Sequence, residues 1–148
     1  MFSAWKNGNT TVSTDPEYFV TITNTTSITA VFSNRSTEKN LYVNEFLASN
    51  STDVLSENNK HEDWIEIYNG GSSTIDLAGL YLSDDTTNLE KYKIPYGSMD
   101  KTRIPSKGYV LFWADNEPQD GALHLLFKLA RSGGVINLSQ KSSSGTMT

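Results

Sequence analysis

His61-Glu-Asp-Trp-Ile-Glu-Ile-Tyr-Asn69 packs a Trp, two β-branched residues, a Tyr and three acids into nine positions. Side chains alternate across a strand, so Ile65 and Ile67 face one way and Trp64, Glu66 and Tyr68 the other. Gly70-Gly71 ends the run sharply. Large side chains on both faces predict a strand inside a sheet, covered at least in part on both sides. Ile65 and Ile67 are the expected core pair. The acids read as the charged entrance to this strand. Asp63 and Glu66 are expected to fix loops.

The chain of 148 residues has room for one full domain, or for one domain plus a fragment. Aromatics make up 11% and Ser, Thr and Asn abound, a mixture of β-formers and turn residues typical of all-β modules. The net charge is −5 and the pI about 4.9, with no dominant basic patch, so nucleic acid is not an expected partner. There is no Cys, hence no disulfide framework and no thiolate metal site. No apolar run is long enough to span a bilayer, so membrane insertion is not expected. The chain starts abruptly in strand-like sequence, with no signal peptide, and reads as a piece of something longer.

Along the chain, residues 1–33 stand apart. Asn7-Gly8-Asn9 and Asp15-Pro16 are turn signals. Tyr18 to Ile22 and Ile28 to Phe32 are strand candidates in a small β-meander. Residues 34–40 are polar and aperiodic, a linker. From Leu41 to about Gln140, short strands alternate with turns. Leu41 to Leu47 is a strand with Leu41, Val43, Glu45 and Leu47 on one face. A helical turn is expected near Asp53-Val-Leu55. Ile75 to Leu82 is a strand with Gly79 marking a bulge or a close approach. Tyr92 to Ile94 is short. Tyr109 to Trp113 is the most apolar strand and the expected centre. Leu125 to Leu129 and Val135 to Leu138 are expected to pair through Ser132-Gly133-Gly134. Residues 141–148 read as a flexible tail. About seven strands in about a hundred residues predict an all-β fold, an immunoglobulin-like β-sandwich.

Two resemblances sharpen this reading. Trp5, Val12-Ser-Thr-Asp-Pro16, Tyr18-Phe19 and Ile28 to Phe32 resemble the closing part of a divergent internalin-B-type B repeat of bacterial surface proteins. The opening strand of such a repeat is absent, which implies a truncated one. The second unit resembles the lamin tail domain in its bacterial form. The matching segments run in family order, from Val43-Asn-Glu-Phe and Ala48-Ser-Asn50 to Asp63-Trp-Ile-Glu-Ile-Tyr-Asn69. They continue through Ile75-Asp-Leu77, Gly79, Leu82-Ser-Asp-Asp85, Ile104-Pro105, Gly108-Tyr109 and Phe112-Trp-Ala114. They close with Leu123-His124, Phe127-Lys-Leu129, Gly133 and Ile136. The resemblance implies an immunoglobulin-like sandwich over residues 41–140. It also implies an accessory or interaction module of an exported, multidomain bacterial protein, not itself catalytic.

Candidate sites are sparse. Glu45, on an apolar face, is expected to be a structural anchor bonded to loop N–H groups or a cation. Asp84 and Asp85 open a loop and are the candidate Ca²⁺ ligands, within an acidic set that includes Glu57, Glu62, Asp63 and Glu66. Asp84 alternatively caps the turn at Thr86-Thr87. No other cofactor is expected. His61 and His124 lie on separate segments without the spacing of a zinc site. No nucleophile–base set, phosphate loop or Gly-x-Ser-x-Gly elbow is visible, so no catalytic residue is assigned. The aromatics Trp64, Tyr68, Tyr81, Tyr92, Tyr96 and Trp113 either form a binding platform or fill the sandwich; filling is the favoured reading. Trp64 and Trp113 are thus structural expectations. The expected function is a non-catalytic interaction or spacer module, extracellular or on the cell surface, beside other domains of a longer chain. Its partner would be an unknown protein or glycan. The alternative is a Ca²⁺-dependent or carbohydrate-binding accessory module that targets an enzyme elsewhere in the parent chain.

Overall fold

The computed structural model describes residues 2–15, 17–21, 23–32, 40–142 and 144–148. Contacts gather into two units, Met1–Glu38 and Lys39–Thr148. The expected linker 34–40 lies outside the described residues except for Asn40.

In the first unit, β1 (Phe2–Asn7), β2 (Thr10–Ser13) and β3 (Ile28–Phe32) form an antiparallel sheet ordered β2-β1-β3. Gly8, at φ +58°, makes the expected turn between β1 and β2. Tyr18 to Thr21 is not a strand, against expectation, and Phe19 is exposed. Ile22 and Pro16 lie outside the described residues. The physical reason is pairing: β2 and β3 occupy both edges of β1, so that strand offers no further partner.

The second unit is a sandwich. One layer is the antiparallel sheet β10-β5-β4, from β4 (Leu41–Leu47), β5 (Trp64–Asn69) and β10 (Tyr109–Trp113). Opposite it lie two small sheets. In one, β6 (Ile75–Asp76) pairs with β9 (Arg103–Ile104). The other is ordered β11-β7-β8, from β7 (Tyr81–Ser83), β8 (Tyr92–Lys93) and β11 (Asn137–Ser139). Ile65 and Ile67 of β5 and Phe112 of β10 meet Ile75, Leu82, Tyr92 and Ile104 in a single core. The architecture is all-β and immunoglobulin-like.

β5, not β10, is the central strand of its sheet. The outer edge of β10 is partly covered instead: Trp113 N–H donates to the Leu123 carbonyl, and Leu125 N–H to that of Trp113, each at 2.8 Å. This loop pairing replaces the strand expected at Leu125 to Leu129. β11 pairs with β7 rather than with that segment. Ile75 to Leu82 breaks into two strands in different sheets. Gly79 causes the break: it sits at φ +85°, and a Cβ there would come 2.2 Å from the Tyr96 hydroxyl. No helix forms at Asp53 to Leu55; a short helix, α1 (Met99–Thr102), appears instead. The tail, expected to be frayed, folds back, with Gln140 and Thr148 exchanging backbone hydrogen bonds at 2.8 and 2.9 Å.

Asn69 pins the end of β5. Its buried amide donates to the carbonyls of Ser73, Ile104 and Pro105 at 2.8, 3.0 and 3.1 Å. Its Oδ1 accepts the Gly71 N–H at 2.9 Å. A buried polar group is tolerated when satisfied in this way.

Candidate functional site

The register of β4, β5 and β10 sets three rows on the outer face of their sheet. Tyr42 stands opposite Tyr68, and Tyr68 opposite Tyr109. Tyr68 and Tyr109 stack with centroids 4.7 Å apart and planes at 27°, while Tyr42 and Tyr68 are 6.3 Å apart at 30°. Tyr42 and Tyr109 are 51% and 54% exposed. Gly70 makes room for this row: a Cβ there would lie 2.8 Å from Tyr42 Cε2. Tyr42 and Tyr109 were not among the aromatics singled out from sequence. Only the register aligns them with Tyr68.

The second row is Glu45, Glu66 and Leu111. Glu45 was expected on the face of Val43 and Leu47; it shares the face of Leu47 but not that of Val43, and that part of the expectation is corrected. A register shift between Val43 and Glu45 changes the alternation, so Glu45 is exposed on the outer face and Val43 packs against the core. Glu66 accepts the Asn44 amide at 2.7 Å.

The third row is Leu47, Trp64 and Trp113, both tryptophans being buried. The loop before β5 is tied down close by. Asp63 accepts the Asn50 N–H at 3.0 Å, and the Trp113 indole donates to Glu57 at 2.7 Å. Asn58 bonds Asp120 at 2.6 Å and Lys60 pairs with Glu117 at 2.8 Å. His124 is fully buried, bonded through Nδ1 to buried Asp115, with Nε2 3.6 Å from Glu57. The Asp115–His124 pair leaves His124 Nε2 without a hydrogen-bond partner among the described residues. It works as a clamp between loops.

The candidate Ca²⁺ ligands have other partners. Asp84 pairs with Lys91 at 2.6 Å. Asp85 accepts from Thr87 N and Oγ1, both at 2.7 Å. Of the six aromatics singled out, Trp64, Tyr81, Tyr92 and Trp113 are buried, Tyr68 is half-buried and Tyr96 is exposed. A separate apolar cleft of about 450 Å³ lies where Val43 and Phe46 of edge strand β4 face Leu129, Val135 and Ile136. No described helix is long and apolar enough to cross a membrane.

The sequence pattern described as Lamin Tail Domain matches residues 34–147, well over half of the chain. The chain belongs to the lamin tail domain family. Neither a curated protein nor a solved structure matches it. This lamin tail domain therefore carries the immunoglobulin-like sandwich of a non-enzymatic family, with its exposed tyrosines on the β4–β5–β10 face.

Proposed function

We propose that this lamin tail domain is a non-catalytic interaction module of a bacterial secreted or cell-surface multidomain protein, and that it engages a protein partner through the tyrosine row. The row of Tyr42, Tyr68 and Tyr109, with Tyr42 and Tyr109 exposed, carries the reading. Tyrosine offers large contact area with few rotatable bonds and is enriched at interfaces. The absent Cys and the repeat-like residues 1–33 support an extracellular setting. Sugar-binding platforms present ring faces to solvent. Here the Tyr68 and Tyr109 rings face each other, which favours a protein over a glycan.

The test is site-specific photocrosslinking in the parent protein on intact cells. A photoreactive residue at position 42 or 109 is expected to trap a discrete partner, and one at Asp100 is not. Equal labelling at all three positions, or none, would leave a spacer role and sink the interaction reading.

A further inference from the structure

The tyrosine row lies beside a pair of carboxylates that form no ion pair among the described residues. Glu45 and Glu66 face each other across β4 and β5. Like charges directly opposite in a sheet are destabilising. Among the described residues, no Lys, Arg or His forms an ion pair with either. Residues two apart on one face of a strand lie about 7 Å from each other. The acids and the tyrosine rings are therefore within reach of one long side chain.

Among the described residues, the lysines that stand over aromatic rings do so elsewhere. Lys93 stands over the rings of Tyr81 and Tyr96 at 5.8 and 5.4 Å, and Lys91 over Phe127 at 5.3 Å. No cation of the described residues stands over Tyr42, Tyr68 or Tyr109. Lys107, at the Gly70 end of the row, is engaged with the Gly70 carbonyl. The face thus combines the exposed rings of Tyr42 and Tyr109 with two acids that pair with no described cation. Both attract the same chemistry.

We infer that the face binds a lysine- or arginine-bearing segment of a partner protein, its cation held by Glu45 and Glu66 and its aliphatic stem lying along the tyrosines. The inference rests on the interaction reading and adds the chemistry of the partner.

The test uses the whole chain and a peptide of alternating lysine and serine as probe, with alternating glutamate and serine as its counterpart. Binding is followed by calorimetry and by amide shifts at low and high salt. The lysine peptide is expected to bind, to shift residues of β4, β5 and β10, and to weaken with salt. Glu45→Gln with Glu66→Gln should weaken it about three- to tenfold, and Tyr109→Ser about two- to fivefold. Glu90→Gln with Asp100→Asn removes the same two charges away from the face and should leave affinity within about twofold. Unchanged melting of each variant excludes unfolding as the cause. Equal weakening by both double variants would reduce the effect to bulk charge and overturn the inference. So would failure of the lysine peptide to bind. In either case crosslinks at positions 42 and 109 would leave the interaction reading standing.

Discussion

Glu57 accepts the indole N–H of Trp113 at 2.7 Å across 56 positions of sequence, tying the loop before β5 to the end of β10. Burial pushes the Glu57 carboxyl up. Its own backbone N–H, the Trp113 indole, and the fields of His124 and Lys101 outweigh this and hold it below the usual carboxylate value. A carboxyl lowered on folding contributes stability above its unfolded pKa and loses it as pH falls through the folded one. Stability should therefore decline on acidification through and below the ordinary Glu range. Glu57→Gln should flatten that limb. The Glu57 side chain is 45% exposed, so solvent screening limits the effect to about 1 kcal/mol or less. Urea unfolding across pH measures it, and identical slopes in both proteins would show that Glu57 carries none of it.

Ile67 has no exposed surface and sits in the core with Phe112 and Leu82. Ile67→Ala should cost about 2–5 kcal/mol from lost transfer energy plus a cavity. Denaturant unfolding of the whole chain reads this directly. A cost near zero would mean that β5 does not face the core.

Gly79 combines a left-handed φ of +85° with a close approach to Tyr96. Gly79→Ala should cost about 1–2 kcal/mol. Adding Tyr96→Ala removes the steric part, because the Tyr96 ring is exposed and separable. The backbone part should persist. If the double variant matches Tyr96→Ala alone in thermal melting, the backbone strain is absent.

Gly70→Ala would bring a Cβ to 2.8 Å from Tyr42 Cε2 and 3.4 Å from Tyr68 Cε1. The Tyr42 ring must shift against Tyr68 while the core is untouched. Melting should change by only a few degrees, as expected for a loss of about 1 kcal/mol or less. The Tyr42 and Tyr68 aromatic resonances should move clearly. Unmoved resonances would show that Gly70 does not shape the row.

Calcium favours six to eight oxygen ligands, whereas Asp84 is paired with Lys91 and Asp85 with Thr87. Among the described residues, no three His, Asp or Glu side chains gather as ligands. Millimolar Ca²⁺ should leave the melting temperature unchanged. A rise with concentration would establish a site that binds the folded state.

Much of the sandwich was legible because strand alternation is a nearest-neighbour pattern. It placed Ile65 and Ile67 inside and marked β4 and β10 from end to end. Gly79 was readable as a special position, since a Gly inside a β run signals a bulge or close contact. The site was barely legible. Tyr68 stood out, but Tyr42 and Tyr109 looked like any strand tyrosines. The Asn44 irregularity that turns Glu45 outward left no local mark. Neither did the choice of β5 as central strand, which depends on what pairs with each edge.

The sequence by itself determined the all-β class, the lamin tail family and the identity of the core pair. The class and the core pair follow from residue type and from a period of two, both local properties, whereas the family follows from the ordered set of matching segments. The tertiary structure alone decided that three tyrosines from strands far apart in sequence form one row beside two facing glutamates. It also decided that Glu57 meets Trp113 and His124. Such meetings depend on strand register and loop closure, which arise from long-range packing and have no signature in neighbouring residues.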